Sequence, residues 1–361
     1  MWRRQAQNHL RTGRASTVLA ATPLRSRVTV LFSTRNRGGA LAPVLDRFSL
    51  LKAPAGGWKL VVVDNGSSDN TCSLLEGYRD RLPLTIVTEP RPGKNRALNT
   101  ALPQLEGDLV VLTDDDVLPQ PDWLVQLCRA ADEHPEASLF GGCVLPHWSQ
   151  PRPAWLVESA VPFSVLFAQQ CREAGACSYE AIFGPNMAVR ASVFAAGFRF
   201  SEAVGPDETR RMYAMGGETE FLRRLDAAGY KGHFVPDAVV GHIIRPEQLD
   251  EQWILHRGYR YGIGEGRHYA SRPMRLRARV LFYGVASRAV RLMPPSPLRL
   301  KIRYKASTLT GIMAGLRNQT ALVPAPARTR RIHLQQQGHA NGPHDSGLHA
   351  TTPQGARRMA P

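Results

Sequence analysis

The chain has 361 residues, 43% of them hydrophobic, and a formal charge of +16 from 46 Lys and Arg against 30 Asp and Glu, a length that allows one to three domains. The charge is partitioned: residues 1–45 carry +8 without an acid, residues 46–255 carry −9, and residues 256–361 carry +17. This excludes a uniformly basic nucleic-acid fold and leaves an acidic domain between basic extensions that could meet an anionic surface.

Residues 1–26 are Arg-rich, and their one apolar patch, Val18 to Ala21, is too short for a secretory core. They read as a disordered basic extension, with a transit peptide as the alternative. From Val28 apolar runs alternate with helix-like segments. The runs are VTVLFS (28–33), KLVVV (59–63), LTIVT (84–88), DLVVLT (108–113) and SLFGGCV (138–144), separated by LAPVLDRFSLL, SSDNTCSLLEGYRD, GKNRALNTALPQL and PDWLVQLCRAADE. This predicts an α/β domain with a mostly parallel central sheet, and runs so apolar need helices on both faces.

Residues 145–180 are rich in Pro and Trp and read as an excursion over the core. A strand-like run (181–190) and a helix-like run (218–230) follow. We therefore place a catalytic domain at 27–255, a basic amphipathic helical region at 256–319 and a disordered tail at 320–361, where Pro, Gln, His and Gly show no periodicity. No run reaches the roughly 18 apolar residues of a membrane span. Five cysteines without a CxxC pair fit a reducing cytosol and argue against zinc.

The strongest chemical signal is VVLTDDDVLP. Asp114, Asp115 and Asp116 crowd like charges at the end of a buried strand, and a divalent cation would relieve them; oxygen ligands favour Mg²⁺ or Mn²⁺. The alternative is a loop whose acids cap the helix starting near Pro121. Asp64 ends the second strand in VVVDNGSSDNT and should face the same crevice, because ligands of open α/β sheets lie at the carboxyl ends of the strands; an Asx turn is its alternative role. Ser33-Thr34-Arg35-Asn36-Arg37 supplies polar and basic groups suited to phosphate at that edge. Neither a GxGxxG nor a Walker A motif is present.

Read in order, STRNR, VVVDNGSSDNT, PGKNRALNTAL, TDDDV and GGETEF resemble glycosyltransferase family 2 over about residues 27–255. The resemblance implies a GT-A fold and an inverting, nucleotide-sugar-dependent transferase. It implies that Thr34, Arg35, Asn36 and Asp64 hold the nucleotide, that Lys94 and Arg96 lie near the donor, and that the DxD motif binds metal and diphosphate. The motif can be read as Asp114-x-Asp116 or as Thr113-Asp114-Asp115. Relatives commonly read Glu-Asp-Thr-Glu where this chain has Gly217-Glu218-Thr219-Glu220, so Glu218 takes the place of the usual Asp base. A solvated helix start is the alternative for Glu218 and Glu220. His242 would be a metal ligand or diphosphate contact, or else structural; Asn186 would touch donor sugar or acceptor, or else close a buried strand end.

The expected reaction is single displacement at the anomeric carbon of a nucleotide sugar, a UDP-sugar in the first place. A polysaccharide, a lipid-linked sugar, a glycolipid or a small molecule could be the acceptor. A nucleotidyltransferase is the rival enzyme, and a non-enzymatic binder of anionic surfaces or nucleic acid the rival without chemistry, although the acidic core gives no reason to expect nucleic acid. In PMRLRARVLFYGVASRAVRLMPPSPLRLKIRYK, Val280, Phe282, Tyr283 and Val290 could form an apolar face among arginines. That predicts a cytoplasmic protein held peripherally on the inner face of the membrane, or a helix packed on the catalytic domain.

Overall fold

The computed structural model describes residues 28–206, 213–267 and 273–317. The extensions expected at 1–26 and 320–361 lie outside the described residues. The first half alternates as expected: β1 (Val28–Thr34), α1 (Ala42–Phe48), β2 (Trp58–Asp64), α2 (Thr71–Glu76), β3 (Leu84–Thr88), α3 (Lys94–Ala101) and β4 (Leu109–Leu112). Its four strands are parallel, in the order β3-β2-β1-β4.

Successive strand residues point to opposite faces, and here both faces are covered. Val28, Val30 and Phe32 pack with Leu60, Val62 and Val111 in one cluster, while Leu31, Val61, Val63 and Val110 join a second. Each such buried side chain contributes about 1.5–3 kcal/mol before chain entropy is subtracted.

The chain continues through β5 (Val117–Pro119), α4 (Trp123–Glu133), β6 (Ala137–Trp148), α5 (Phe163–Phe167), β7 (Gly175–Cys177), β8 (Met187–Arg190), α6 (Ala191–Ala195), α7 (Gly217–Ala227) and β9 (Lys231–Ile244). The sheet extends from β4 through β8, β6 and β9 to β5, with β7 also on β9. Pairing of β6 with β9 is parallel, whereas β8, β5 and β7 pair antiparallel. Two runs differ from expectation. The strand read at 181–190 begins only at Met187, because Gly184–Asn186 winds into a 3₁₀ turn. The strand read at 138–144 extends to Trp148, since β9 offers it a partner along its whole length after a register shift at Gly142 and Cys143.

The excursion at 145–180 forms a third cluster. Phe163, Leu166 and Phe167 pack with Ile244, Ile254, Leu300 and Tyr304. A disulfide joins Cys143 to Cys171, with Cα atoms 4.4 Å apart. It corrects the expectation of uniformly reduced cysteines: the odd count concealed one pair beside three free thiols.

Three helices close the described chain: α8 (Glu251–Gly266), α9 (Pro273–Ala289) and α10 (Pro297–Arg317). The boundary expected at 255/256 falls inside α8, whose second half lines the cavity described below. Helices α8 and α10 meet through glycines. A Cβ added at Gly262 would lie 2.2 Å from the Thr308 carbonyl oxygen, and one at Gly311 would lie 2.1 Å from that of Tyr259.

Candidate active site

The sheet order reverses between β1 and β4, the topological position where open α/β sheets bind ligands. A cavity of about 980 Å³ opens there. Of the residues expected from sequence, it gathers Thr34, Arg35, Asn36, Lys94, Asp114, Asp115, Asp116, Glu218, Glu220 and His242. Thr34 and Asn36 come from the end of β1, Lys94 opens α3, the aspartates follow β4, Glu218 and Glu220 start α7, and His242 lies on β9.

Three expected residues stand back from the wall. Asp64 Oδ1 accepts the Ser67 amide at 3.0 Å and shapes the turn after β2. Arg96 donates to Glu202 at 2.8 Å and to the Pro92 carbonyl at 2.9 Å. Asn186 requires correction. It is completely buried, its amide donates to the Cys143 and Ala238 carbonyls at 3.0 and 2.7 Å, and its oxygen accepts Trp123 Nε1 at 2.9 Å. With both amide hydrogens donated and its oxygen accepting, it holds β6, β9 and α4 together and does not line the cavity.

Each aspartate has its own cationic neighbour. Lys94 Nζ lies 2.6 Å from Asp114 Oδ1 and 2.5 Å from Glu218 Oε1, bridging the triad to the start of α7. Burial opposes the lysine's charge, but the two carboxylates outweigh it and hold the ammonium well above the usual lysine range. For Glu218 burial favours the neutral acid, yet the Lys94 charge and hydrogen bond prevail and keep it below the usual carboxylate range. Asp115 accepts from Thr34 at 2.8 Å and Arg37 at 3.1 Å; burial and the neighbouring Asp116 raise its pKa.

Asp116 lies 3.3 Å from His242 Nε2 and 3.1 Å from Arg245. Those cations, with Arg37, overcome its burial and lower its pKa. His242 Nδ1 is 2.7 Å from the Phe167 carbonyl. Burial alone would lower the imidazole's pKa; Asp116 and that carbonyl raise it instead, and because a carbonyl only accepts, Nδ1 is the donor there.

Local backbone makes this convergence possible. Asn36 holds a positive φ of 52°, and its side-chain oxygen accepts the Ser68 amide at 2.8 Å, latching the β1 loop to the β2 loop. A Cβ at Gly184 would come within 2.9 Å of Glu218 Cγ. Gly217, where relatives carry Glu, has the same kind of constraint: its Cβ would sit 2.7 Å from Asn95 Nδ2. Glu220 accepts from Arg224 at 2.7 Å, one helical turn on.

The cations were less visible in sequence. Arg37 and Arg245 pair with the triad, and α8 adds Arg257 and Arg260. Arg257 donates to the Val165 carbonyl at 3.2 Å and stands over Trp253 with no carboxylate within ion-pair distance among the described residues; burial lowers its pKa. The available signal was the i, i+3 spacing of Arg257 and Arg260, but it gains meaning only once α8 is known to border the cavity. On the same wall, burial and the nearby Glu180 charge raise the pKa of Glu265, and burial pushes Tyr261 up to about 12.

The oxygen donors of Asp114–Asp116 suit a hard divalent cation. Among the described residues no three His, Cys, Asp or Glu side chains converge as a closed metal cage.

The model of the family described as Glycosyl transferase family 2 matches residues 21–196, from before β1 through α6. This segment is a glycosyltransferase family 2 domain. The transferase is 25% identical over 272 residues to the succinoglycan biosynthesis protein ExoM of Rhizobium meliloti (strain 1021), covering 72% of this chain and 82% of the relative. It is 29% identical over 112 residues to an undecaprenyl-phosphate 4-deoxy-4-formamido-L-arabinose transferase of Proteus mirabilis, spanning 30% of this chain and about a third, 34%, of the relative. Among solved structures, the transferase is similar to the mannosyltransferase PcManGT of Pyrobaculum calidifontis in complex with GDP-Man and Mn²⁺. The TM-score is 0.50 and the identity 22%, over 90% of this chain and 84% of that one. The fold is GT-A. Among the described residues, no helix of the transferase is long and apolar enough to cross a membrane.

Proposed function

We propose that the transferase moves a sugar from a nucleotide-diphosphate sugar to an acceptor hydroxyl with inversion, in the assembly of a polysaccharide or cell-envelope glycan. The observation that carries this reading is the convergence of Glu218, Lys94 and Asp114 within 2.6 Å contacts in a cavity large enough for a sugar nucleotide. Glu218 accepts the acceptor's hydroxyl proton. The oxygen forms its bond to the anomeric carbon as the bond from that carbon to the diphosphate oxygen breaks, and the electron pair leaves with the nucleoside diphosphate. Asp114, Asp115 and Asp116, with the buried His242 beside Asp116, would hold Mg²⁺ or Mn²⁺, which when bound supplies positive charge to the departing diphosphate. Thr34, Arg35 and Asn36 face the nucleotide half, while Arg245 and Arg257 add charge that needs no metal.

The Mn²⁺ and GDP-Man of the mannosyltransferase complex support the donor and cofactor classes. The succinoglycan relative supports a polysaccharide setting, and the undecaprenyl-phosphate transferase supports a lipid-borne acceptor. UDP-sugars stand first among donors to test, with GDP-mannose beside them.

A screen of nucleotide sugars, read by thermal shift and slow donor hydrolysis with Mn²⁺ and with chelator, identifies the donor without the acceptor. Glu218→Gln should bind that donor within about twofold of the parent while transfer falls by about 10²–10⁴, the usual share of a general base. Transfer at the parental rate would remove Glu218 from the role. Pyrophosphate release from a nucleoside triphosphate would favour a nucleotidyltransferase instead.

A further inference from the structure

Helix α9 carries a surface that the catalytic reading leaves unexplained. Among the described residues, every large apolar side chain recorded as exposed lies between 274 and 298, except Leu50. On α9, Met274 is 79% exposed, Leu281 69%, Phe282 67% and Val285 57%. At 100° per residue these four fall within about a third of the helix circumference. Leu292, 95% exposed, continues past the helix end. The opposite side, with Leu276 buried and Val280 and Tyr283 half-buried, is turned inward where α9 packs on α10. This replaces the apolar face expected from sequence: of its four residues only Phe282 belongs to the outer stripe.

Arginines border that stripe on both sides. Arg275 and Arg279 follow one edge, Arg277 and Arg288 the other, and all four are exposed. None has an ion pair among the described residues, in contrast to Arg299 and Arg303 of α10, which meet Glu251 at 2.7 Å. No Asp or Glu occurs between Glu265 and Asp345. We propose that the outer face of α9 is an interfacial docking surface for an anionic lipid bilayer, apolar side chains entering the acyl boundary while the flanking arginines meet lipid phosphates.

The charge selects this occupant. A second copy would bring the same arginines against each other, and the chain's own segment 320–361, with five arginines and one acid, has the wrong sign. Because α9 packs on α10, and α10 on the α8 that lines the cavity, docking would bring the α8 side of the cavity toward the headgroups. The inference goes beyond the catalytic reading and stands without it.

Flotation of the full chain with phosphatidylcholine vesicles, with and without phosphatidylglycerol, tests it. Binding only to the phosphatidylglycerol vesicles is expected, lost at high salt. It should fall by about tenfold or more in Leu281→Glu/Phe282→Glu and in Arg275→Glu/Arg279→Glu, since each basic residue near an anionic surface adds appreciably to affinity. Donor hydrolysis should stay at the parental rate in both variants, which shows that they fold and separates failure of docking from failure of the catalytic proposal. A chain that stays unbound at low salt, variants that float as well as the parent, or an apolar face that instead mediates self-association or RNA binding would overturn the proposal.

Discussion

Lys94 is the residue on which the charge balance of the cavity turns. It opens α3 directly after Gly93, whose φ of 132° lets the chain swing into the helix while its amide donates to Asn65. The ammonium then faces two carboxylates from well-separated parts of the sequence, Asp114 and Glu218. Burial alone would make Glu218 a weaker acid; the lysine reverses that. Lys94→Met therefore removes what keeps Glu218 ionised, and its pKa rises. A base with a raised pKa loses its proton only at higher pH, so the acid limb of the pH dependence of kcat/KM should move upward in the variant. An unmoved acid limb would mean that the limb belongs to another group. The carboxylates themselves were legible in sequence, because like charges at a buried strand end demand a counter-charge. Their partners were legible only in part: Arg37 stands in the polar run after β1, whereas Arg245 comes from a separate segment and no spacing in the chain links it to the triad. Asn186 shows the reverse problem. A polar residue at a strand end reads equally as ligand or scaffold, and only the carbonyls of Cys143 and Ala238 decide for scaffold.

Glycine spacing explains how α8 and α10 pack as they do. Gly262 and Gly266 on α8 meet Gly311 and Gly315 on α10, so that one helix backbone lies on the other, and Gly258 makes room for the Tyr304 ring and Thr308. An isopropyl group at such a contact has nowhere to go, and overpacking costs about 1–3 kcal/mol or more when the obstacle is backbone. Gly262→Val should lower the unfolding midpoint measurably and, by displacing α8, weaken donor-induced stabilisation through Arg257 and Arg260. An unchanged melting temperature would show that the helices can separate without cost. The periodic pattern was present in the sequence at four-residue intervals, yet it was overshadowed by the basic residues around it. Helix α9, by contrast, was read in kind but not in detail: its arginines and apolar residues pointed to an interface, while the orientation on α10 determined which of them face outward.

At the scale of the molecule, the parallel half was legible because its strands are uninterrupted apolar runs buried on both faces. The half from β5 to β9 was less so, since β6 and β9 owe their length to each other and β8 starts only after a turn containing Pro185. The cysteines likewise could not be paired from their count, because Cys143 and Cys171 are brought together by the excursion that spans them. One contact in the cavity also has a consequence for steady-state kinetics. A single ammonium is shared by Asp114 and Glu218; on the proposed reading this makes the two halves of the cavity interdependent, because Glu218 as base would be quenched until the donor's diphosphate competed for the lysine. Addition should then be compulsory, donor before acceptor. Nucleoside diphosphate should inhibit competitively against the sugar nucleotide and non-competitively against the acceptor, and water that enters before the donor would find no base to activate it. Random-order product inhibition in the parent would contradict this, whereas a shift from ordered to random in Lys94→Met would locate the interlock in one side chain.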